Sequence, residues 1–199
     1  MQGGMVGAYL TFLHGGWAVD AKVLGNFGSL DYSNSAPGLV ATDSAGYRSV
    51  GGVLDVGYRY GLYGSSFVEP GATLTYARTS IDSLSIYGTT VDFQDADSLR
   101  GRLGVRVGTS IVSAAHKIEP FVGVSGWYEF DGKNQVSLAS GGFNLSTIDN
   151  MRGGFGEVSL GLNVFSLQSM GLSGFAKGNY QFNDDGHNLV GQVGVRYNW

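Results

Sequence analysis

What most constrains this chain is a two-residue rhythm of apolar and polar side chains that returns roughly every 15 to 25 residues and never gives way to a helical one. Between Leu99 and Thr109 the odd positions are Leu99, Gly101, Leu103, Val105 and Val107, while the even ones include Arg100, Arg102 and Arg106. Successive side chains of a strand point to opposite faces, so this segment is a ribbon with one apolar face and one charged face. Three arginines on one face need water or carboxylates across from them. From Ile118 to Phe130 the same phase puts Ile118, Pro120, Val122, Val124, Tyr128 and Phe130 on the apolar side, and Glu119, Ser125, Trp127 and Glu129 on the other.

Nine such strands are expected, near Met5 to Leu13, Trp17 to Asp31, Tyr47 to Tyr60, Phe67 to Thr79, Ser98 to Ser110, Ile118 to Phe130, Phe155 to Phe165, Gly171 to Phe182, and Leu189 to Trp199. No segment has a 3.6-residue period with caps. The fold class is therefore all-β, an antiparallel up-and-down meander. Connections alternate in length. Those near His14 to Gly16, Gly61 to Ser66, Ile111 to Lys117 and Ser166 to Met170 are short; those near Ser33 to Gly46, Ser80 to Asp97, Asp131 to Gly154 and Asn183 to Asn188 read as mostly long loops. The alternating segment Gln135 to Ser146 is expected to extend two neighbouring strands as a hairpin.

Composition decides what surrounds the strands. Charged residues are only 14 % of the chain, against about 25 % in ordinary soluble domains. Glycine is 34 of 199 residues, more than double the usual share of about 7 %, and glycine scattered through extended segments serves curved sheets with closely approaching backbones. No apolar run is long enough for a membrane-spanning helix. A closed β-barrel is the other way to satisfy every backbone group in lipid. Its outward residues are apolar and its inward ones polar, which accounts for the low charge. The expected inward charged set is Glu69, Arg100, Arg102, Arg106, Glu119, Glu129, Glu157, Lys177 and Arg196, with Asp20, Lys22, Asp55 and Arg59 in the same phase. Acids and bases in that set nearly balance, so pairing among them is favoured over a separate binding role. Short turns at one end and long loops at the other match the periplasmic and extracellular ends of outer-membrane barrels.

The final octapeptide carries the same signature. Val193, Val195, Tyr197 and Trp199 share one face; Gln192, Gly194, Arg196 and Asn198 share the other. A soluble, lipocalin-like barrel would instead turn Leu99, Leu103, Val105, Tyr197 and Trp199 inward around an apolar ligand. Enzyme chemistry has little to stand on. Cysteine is absent, which removes thiolate metal sites and cysteine nucleophiles. His14, His116 and His187 are scattered over turns and a loop, without metal-ligand spacing or a triad. Asp92, Asp95 and Asp97 lack the glycine and glutamate of a calcium loop. A net charge of −4 gives no electrostatic case for nucleic acid. No cofactor is expected.

A series of blocks completes the reading. They are Phe67-Val68-Glu69-Pro70 leading to Leu74-Thr75-Tyr76; Asp97-Ser98-Leu99-Arg100-Gly101-Arg102-Leu103-Gly104-Val105-Arg106; Glu119-Pro120-Phe121-Val122; Trp127-Tyr128-Glu129-Phe130; Gly156-Glu157-Val158-Ser159-Leu160-Gly161-Leu162; and Gly194-Val195-Arg196-Tyr197-Asn198-Trp199. In order and spacing this series resembles the translocator β-barrel domain of autotransporters, the type V secretion proteins of Gram-negative bacteria. The resemblance implies an outer-membrane anchor, held in lipid, that lets a passenger segment of the same polypeptide reach the cell surface. It implies a C-terminal signal for the barrel assembly machinery on Gln192, Gly194, Tyr197 and Trp199. It also implies twelve strands behind a pore-threading helix, so residues 1–199 are expected to be one partial barrel domain that begins near the fourth strand and is open or imperfectly closed. A stand-alone small outer-membrane barrel, acting as a pore or adhesin, is the alternative membrane reading.

Overall fold

The computed structural model describes residues 2–36, 39–86, 89–140, 143–150, 152–168, 171–184 and 186–197. Nine long strands form the expected meander: β1 (Gln2–His14), β2 (Trp17–Ala36), β3 (Leu39–Tyr58), β5 (Ser66–Ile81), β8 (Ala96–Thr109), β10 (His116–Asp131), β13 (Gly153–Ser166), β14 (Leu172–Asn183) and β15 (Gly186–Tyr197). They pair antiparallel in that order, and the short pieces β4 (Tyr60–Gly61) and β9 (Ile111–Val112) pair with β5 and β10. Among the described residues β1 and β15 each pair on one side only. The sheet therefore has two free edges and is open.

Three expected loops hold strand instead. The Ser33 to Gly46 region continues the β2–β3 ladder through Ser33↔Thr42 to Ala36↔Leu39, and Asn183 pairs directly with Gly186. Serine, asparagine and glycine mark turns by composition, but a ladder is made by backbone groups, which pair without an alternating apolar face. The Gln135 to Ser146 hairpin forms as β11 (Lys133–Ser140) and β12 (Phe143–Asn150). It joins β7 (Thr89–Phe93) and β6 (Leu84–Ile86), which were expected to be loop, in a separate four-stranded sheet.

Sequence chemistry explains the tight geometry. The two residues joining β1 and β2, Gly15 and Gly16, both have positive φ, 56° and 90°, as a type I′ hairpin turn requires. Within the sheet, glycines sit beneath aromatic rings of the next strand. A Cβ on Gly161 would lie 2.3 Å from the Phe121 ring, and one on Gly156 would lie 2.5 Å from the Phe182 ring. Each ring thus fills the gap its glycine leaves and helps fix strand register.

The two faces sort as alternation demands. Leu103 is 72 % exposed, Leu160 69 % and Tyr197 59 %, whereas Glu119, Glu129, Glu157 and Ser159 on the opposite face are buried. That is the reverse of a soluble binder, which would hide Leu103, Val105 and Tyr197; Trp199 lies outside the described residues. The polar face is also the concave one. Arg59, just after β3, reaches Glu119 on β10 at 3.0 Å, although β5 and β8 lie between them. Three inter-strand steps in a flat sheet would span about 14 Å. Two side chains bridge that gap comfortably only along the chord of a curved sheet.

Candidate functional site

The inner face of the central strands holds a stack of ion pairs in three tiers. Nearest the short turns, the Glu119 carboxylate accepts hydrogen bonds from Arg59 Nη1 at 3.0 Å, Lys117 Nζ at 2.9 Å and Ser110 Oγ at 2.8 Å. Glu69 accepts from Arg59 Nε at 3.0 Å and also pairs with Arg106. Arg59 therefore clamps two carboxylates with one fork, a geometry suited to guanidinium rather than ammonium. Its other surface lies 4.0 Å from the centre of the buried Phe67 ring, and Arg106 lies over Phe121 at 5.2 Å.

In the middle tier Glu157 accepts from Ser125 Oγ at 3.2 Å and Gln181 Nε2 at 2.9 Å, with Arg102 Nη2 at 3.8 Å. Arg102 lies over the Trp127 ring, which in turn stacks on Phe155 at 5.7 Å. Asp55 accepts a hydrogen bond from the Thr73 hydroxyl. In the tier toward the long loops, Glu129 accepts from Arg100 Nε at 3.1 Å, Ser98 Oγ at 2.8 Å and the Leu99 amide at 2.9 Å. A carboxylate removed from water is tolerable only with several donors around it. Glu119 and Glu129 each have three, Glu157 has two with the Arg102 guanidinium at 3.8 Å, and aromatic rings flank the arginines.

The sequence-derived inner set is thus brought together in large part. Glu69, Arg100, Arg102, Arg106, Glu119, Glu129 and Glu157 share one face and pair with one another or with their neighbours. Lys177 lies on that face in β14, with Asp55, Glu69, Arg102, Arg106 and Ser159 around a common cavity. Arg196 has the same phase, opposite Ser173, but is exposed on β15 and, among the described residues, makes no ion pair. Of the octapeptide positions, Gln192 is opposite Lys177, Gly194 is opposite Phe175, and Tyr197 points to the apolar side. Reasoning from the sequence underrated Arg59 and left out Lys117. Arg59 lies where β3 gives way to β4 and meets Glu119 across two intervening strands, which alternation does not reveal; Lys117 shares the face of Glu119 two residues on, but the apolar pattern that marks the strand begins only at Ile118.

Toward the long-loop end, outside the apolar band, the acids are used locally. Asp95 pairs with Arg78, and the Tyr76 hydroxyl donates to Asp97 at 2.9 Å. Asp43 accepts the amides of Ser44 and Ser85, which ties β3 to β6 and holds the Asp43 carboxyl below its ordinary value. Among the described residues no group of three or more histidines and carboxylates is arranged to hold a metal.

Aromatic side chains cluster at both ends of the apolar face. Trp17, Tyr58 and Tyr60 pack together at the short-turn end, with ring centres 5.0 Å and 4.3 Å apart. Tyr128 with Phe130 and Tyr180 with Phe182 do so at the other. Roughly ten residues of a tilted strand cross the apolar band of about 25 Å that such girdles bracket in outer-membrane barrels, close to the interval between Ile118 and Tyr128 on β10.

Three comparisons bear on this architecture. No curated protein matches the chain. The crystal structure of the beta domain of the Bordetella autotransporter BrkA matches with a TM-score of 0.68 at 22 % identity, over 98 % of this chain and 73 % of that one, which is a likeness of fold. A model of the autotransporter beta-domain family matches residues 1–174. With the meander, the apolar outer face and the ion-paired inner face, that match places this chain in the autotransporter beta-domain family: it is an outer-membrane translocator barrel, of the kind that carries a passenger segment on the same polypeptide.

Proposed function

We propose that residues 1–199 act as one domain, an anchoring wall whose inner charged residues line a hydrated passage for the passenger, and that the chain performs no chemistry of its own. The lining set is Glu69, Arg100, Arg102, Arg106, Glu119, Glu129, Glu157, Lys177 and Arg196. What supports the reading is the sorting of β8: Leu103 is 72 % exposed on the outer face, while its neighbour Arg102 points inward beside Glu157. Charge inside and apolar surface outside suit a wall between lipid and water. In this reading Gln192, Gly194, Tyr197 and Trp199 form the segment that the barrel assembly machinery recognises, through an exposed strand edge and the outward side chain of Tyr197.

The test is made in the parent polypeptide. Deleting Trp199 is expected to deplete heat-modifiable barrel from the outer-membrane fraction and passenger from the surface, while leaving synthesis unchanged. Normal surface display after that deletion would defeat the recognition part. A barrel that assembles normally but never displays a passenger would defeat the translocation part and leave a pore or adhesin.

A further inference from the structure

One region of the inner face is not neutralised by its neighbours. A cavity of about 80 Å³ lies between β3, β5, β8, β13 and β14, lined by Asp55, Glu69, Arg102, Arg106, Ser159 and Lys177 among others. It has room for a carboxylate-sized group with water beside it. Its β8, β13 and β14 side is built of donors. The Nε–H groups of Arg102 and Arg106 are buried without an acceptor, and the Ser159 hydroxyl is almost wholly buried. Lys177 makes no ion pair among the described residues; it is attracted by Glu157 and Asp55 and repelled by Arg102 and Arg106.

The acids nearby are largely committed. Glu69 is shared between Arg59 and Arg106, Glu157 is occupied by Ser125 and Gln181 and reaches Arg102 only at 3.8 Å, and Asp55 is held by Thr73. Arg59, Arg102, Arg106 and Lys177 against Glu69, Glu157 and Asp55 leave one positive charge in excess. Buried donors with excess positive charge attract an acceptor.

We propose that Arg102, Arg106, Ser159 and Lys177 form a binding site for a single small anion of halide or carboxylate size. The site lies at mid-depth on the concave face, so an occupant sits in the path proposed above without depending on what travels through it. Its source is either a free anion or the carboxylate of a polypeptide segment inside the barrel.

Bromide is the probe. The full chain is refolded in detergent, checked for heat-modifiable mobility, and crystallised with sodium bromide. An anomalous peak in contact with Lys177 Nζ and an arginine Nε is expected, and Lys177→Gln should lower its occupancy. In solution, broadening of the bromide resonance should show apparent affinity falling about tenfold in that variant, the scale of losing one charge-assisted bond. Acetate should displace bromide. Displacement by a short aspartate-rich peptide as well marks a polypeptide carboxylate as the source, whereas displacement by acetate alone marks a free anion. No peak in the wild type, or equal binding in Lys177→Gln, means an adventitious ion only and overturns the site. Should that variant fail to fold, failure of acetate to displace bromide from the wild type overturns it equally. Folding is scored separately, so an empty site in a correctly folded barrel leaves the translocator reading intact.

Discussion

The inner side chains of the central strands and those of the flanking strands share one face of the sheet, yet live in different surroundings. On β10 and β13, Glu119, Glu129 and Glu157 are 2 to 4 % exposed. On β1, Tyr9 and Leu13 occupy the equivalent face, by their pairing with Lys22 and Ala18, and are 80 % and 71 % exposed; on β15, Gln192 and Arg196 are exposed as well. Alternation chooses the face. Burial comes from having a curved neighbour on both sides, so that long polar side chains fold over one another along the chord. The polar face is thus packed like a core only in the middle of the sheet.

The sharpest way to break the contrast is to remove a central acid. Glu119→Ala leaves Arg59 and Lys117 without their shared carboxylate, and is expected to cost about 3–5 kcal/mol, read as a lower urea midpoint for unfolding from detergent or lipid. Next comes a charge on the outer face: Leu103→Arg should cost about 2–4 kcal/mol near mid-membrane, while leaving the inner pairs intact. The fluorescence-monitored folding yield into vesicles checks this. Gly161→Ala, which forces a methyl group against Phe121, should cost about 1–3 kcal/mol by overpacking, and the double variant with Phe121→Leu should recover part of it.

At the flank, Arg196→Ala should change stability by no more than about 0.5 kcal/mol. A loss as large as that at Glu119 would mean that β15 is packed on both sides in the assembled protein. The smallest effect concerns the outer sheet. The amides of Ser85 and Ser44 hold the Asp43 carboxyl below its ordinary value when folded, so its hold on Ser85 is complete at the ordinary carboxylate value and above, and is lost as pH falls through the lowered one. The hydrogen-exchange protection factor of the Ser85 amide should fall on acidification below the ordinary carboxylate range, and Asp43→Asn should abolish that pH dependence.

These contrasts show what could be read from residues alone. Strand number, face and phase were legible because lipid enforces them: Leu103, Val105 and Leu160 have no other place to go. The inner membership of Arg100, Arg102 and Arg106 followed from the same rhythm. Their partners did not, because Arg59 and Glu119 are brought together by curvature, which no two-residue pattern encodes. Outside the apolar band the alternation of Gln135 to Ser146 announced β11 and β12, whereas β6, β7 and the outer part of the β2–β3 ladder gave no such signal. From Ser33 to Gly46 turn-forming residues mimic a loop, yet the backbone ladder runs on to Ala36↔Leu39 and Ala45 is buried.

The β2–β3 hairpin has a consequence for what the cell presents outward. Each of its strands has 20 residues, a contour of about 66 Å at about 3.3 Å per residue, of which a tilted crossing of the apolar band uses roughly half. The remainder is a paired, twisted mast rising some two dozen ångströms, by the same rough arithmetic, above the lipid headgroups. An antibody, a phage tail or a protease approaching the cell would meet that mast before it reached the barrel rim, so changes at its tip should alter surface recognition long before they disturb the wall beneath.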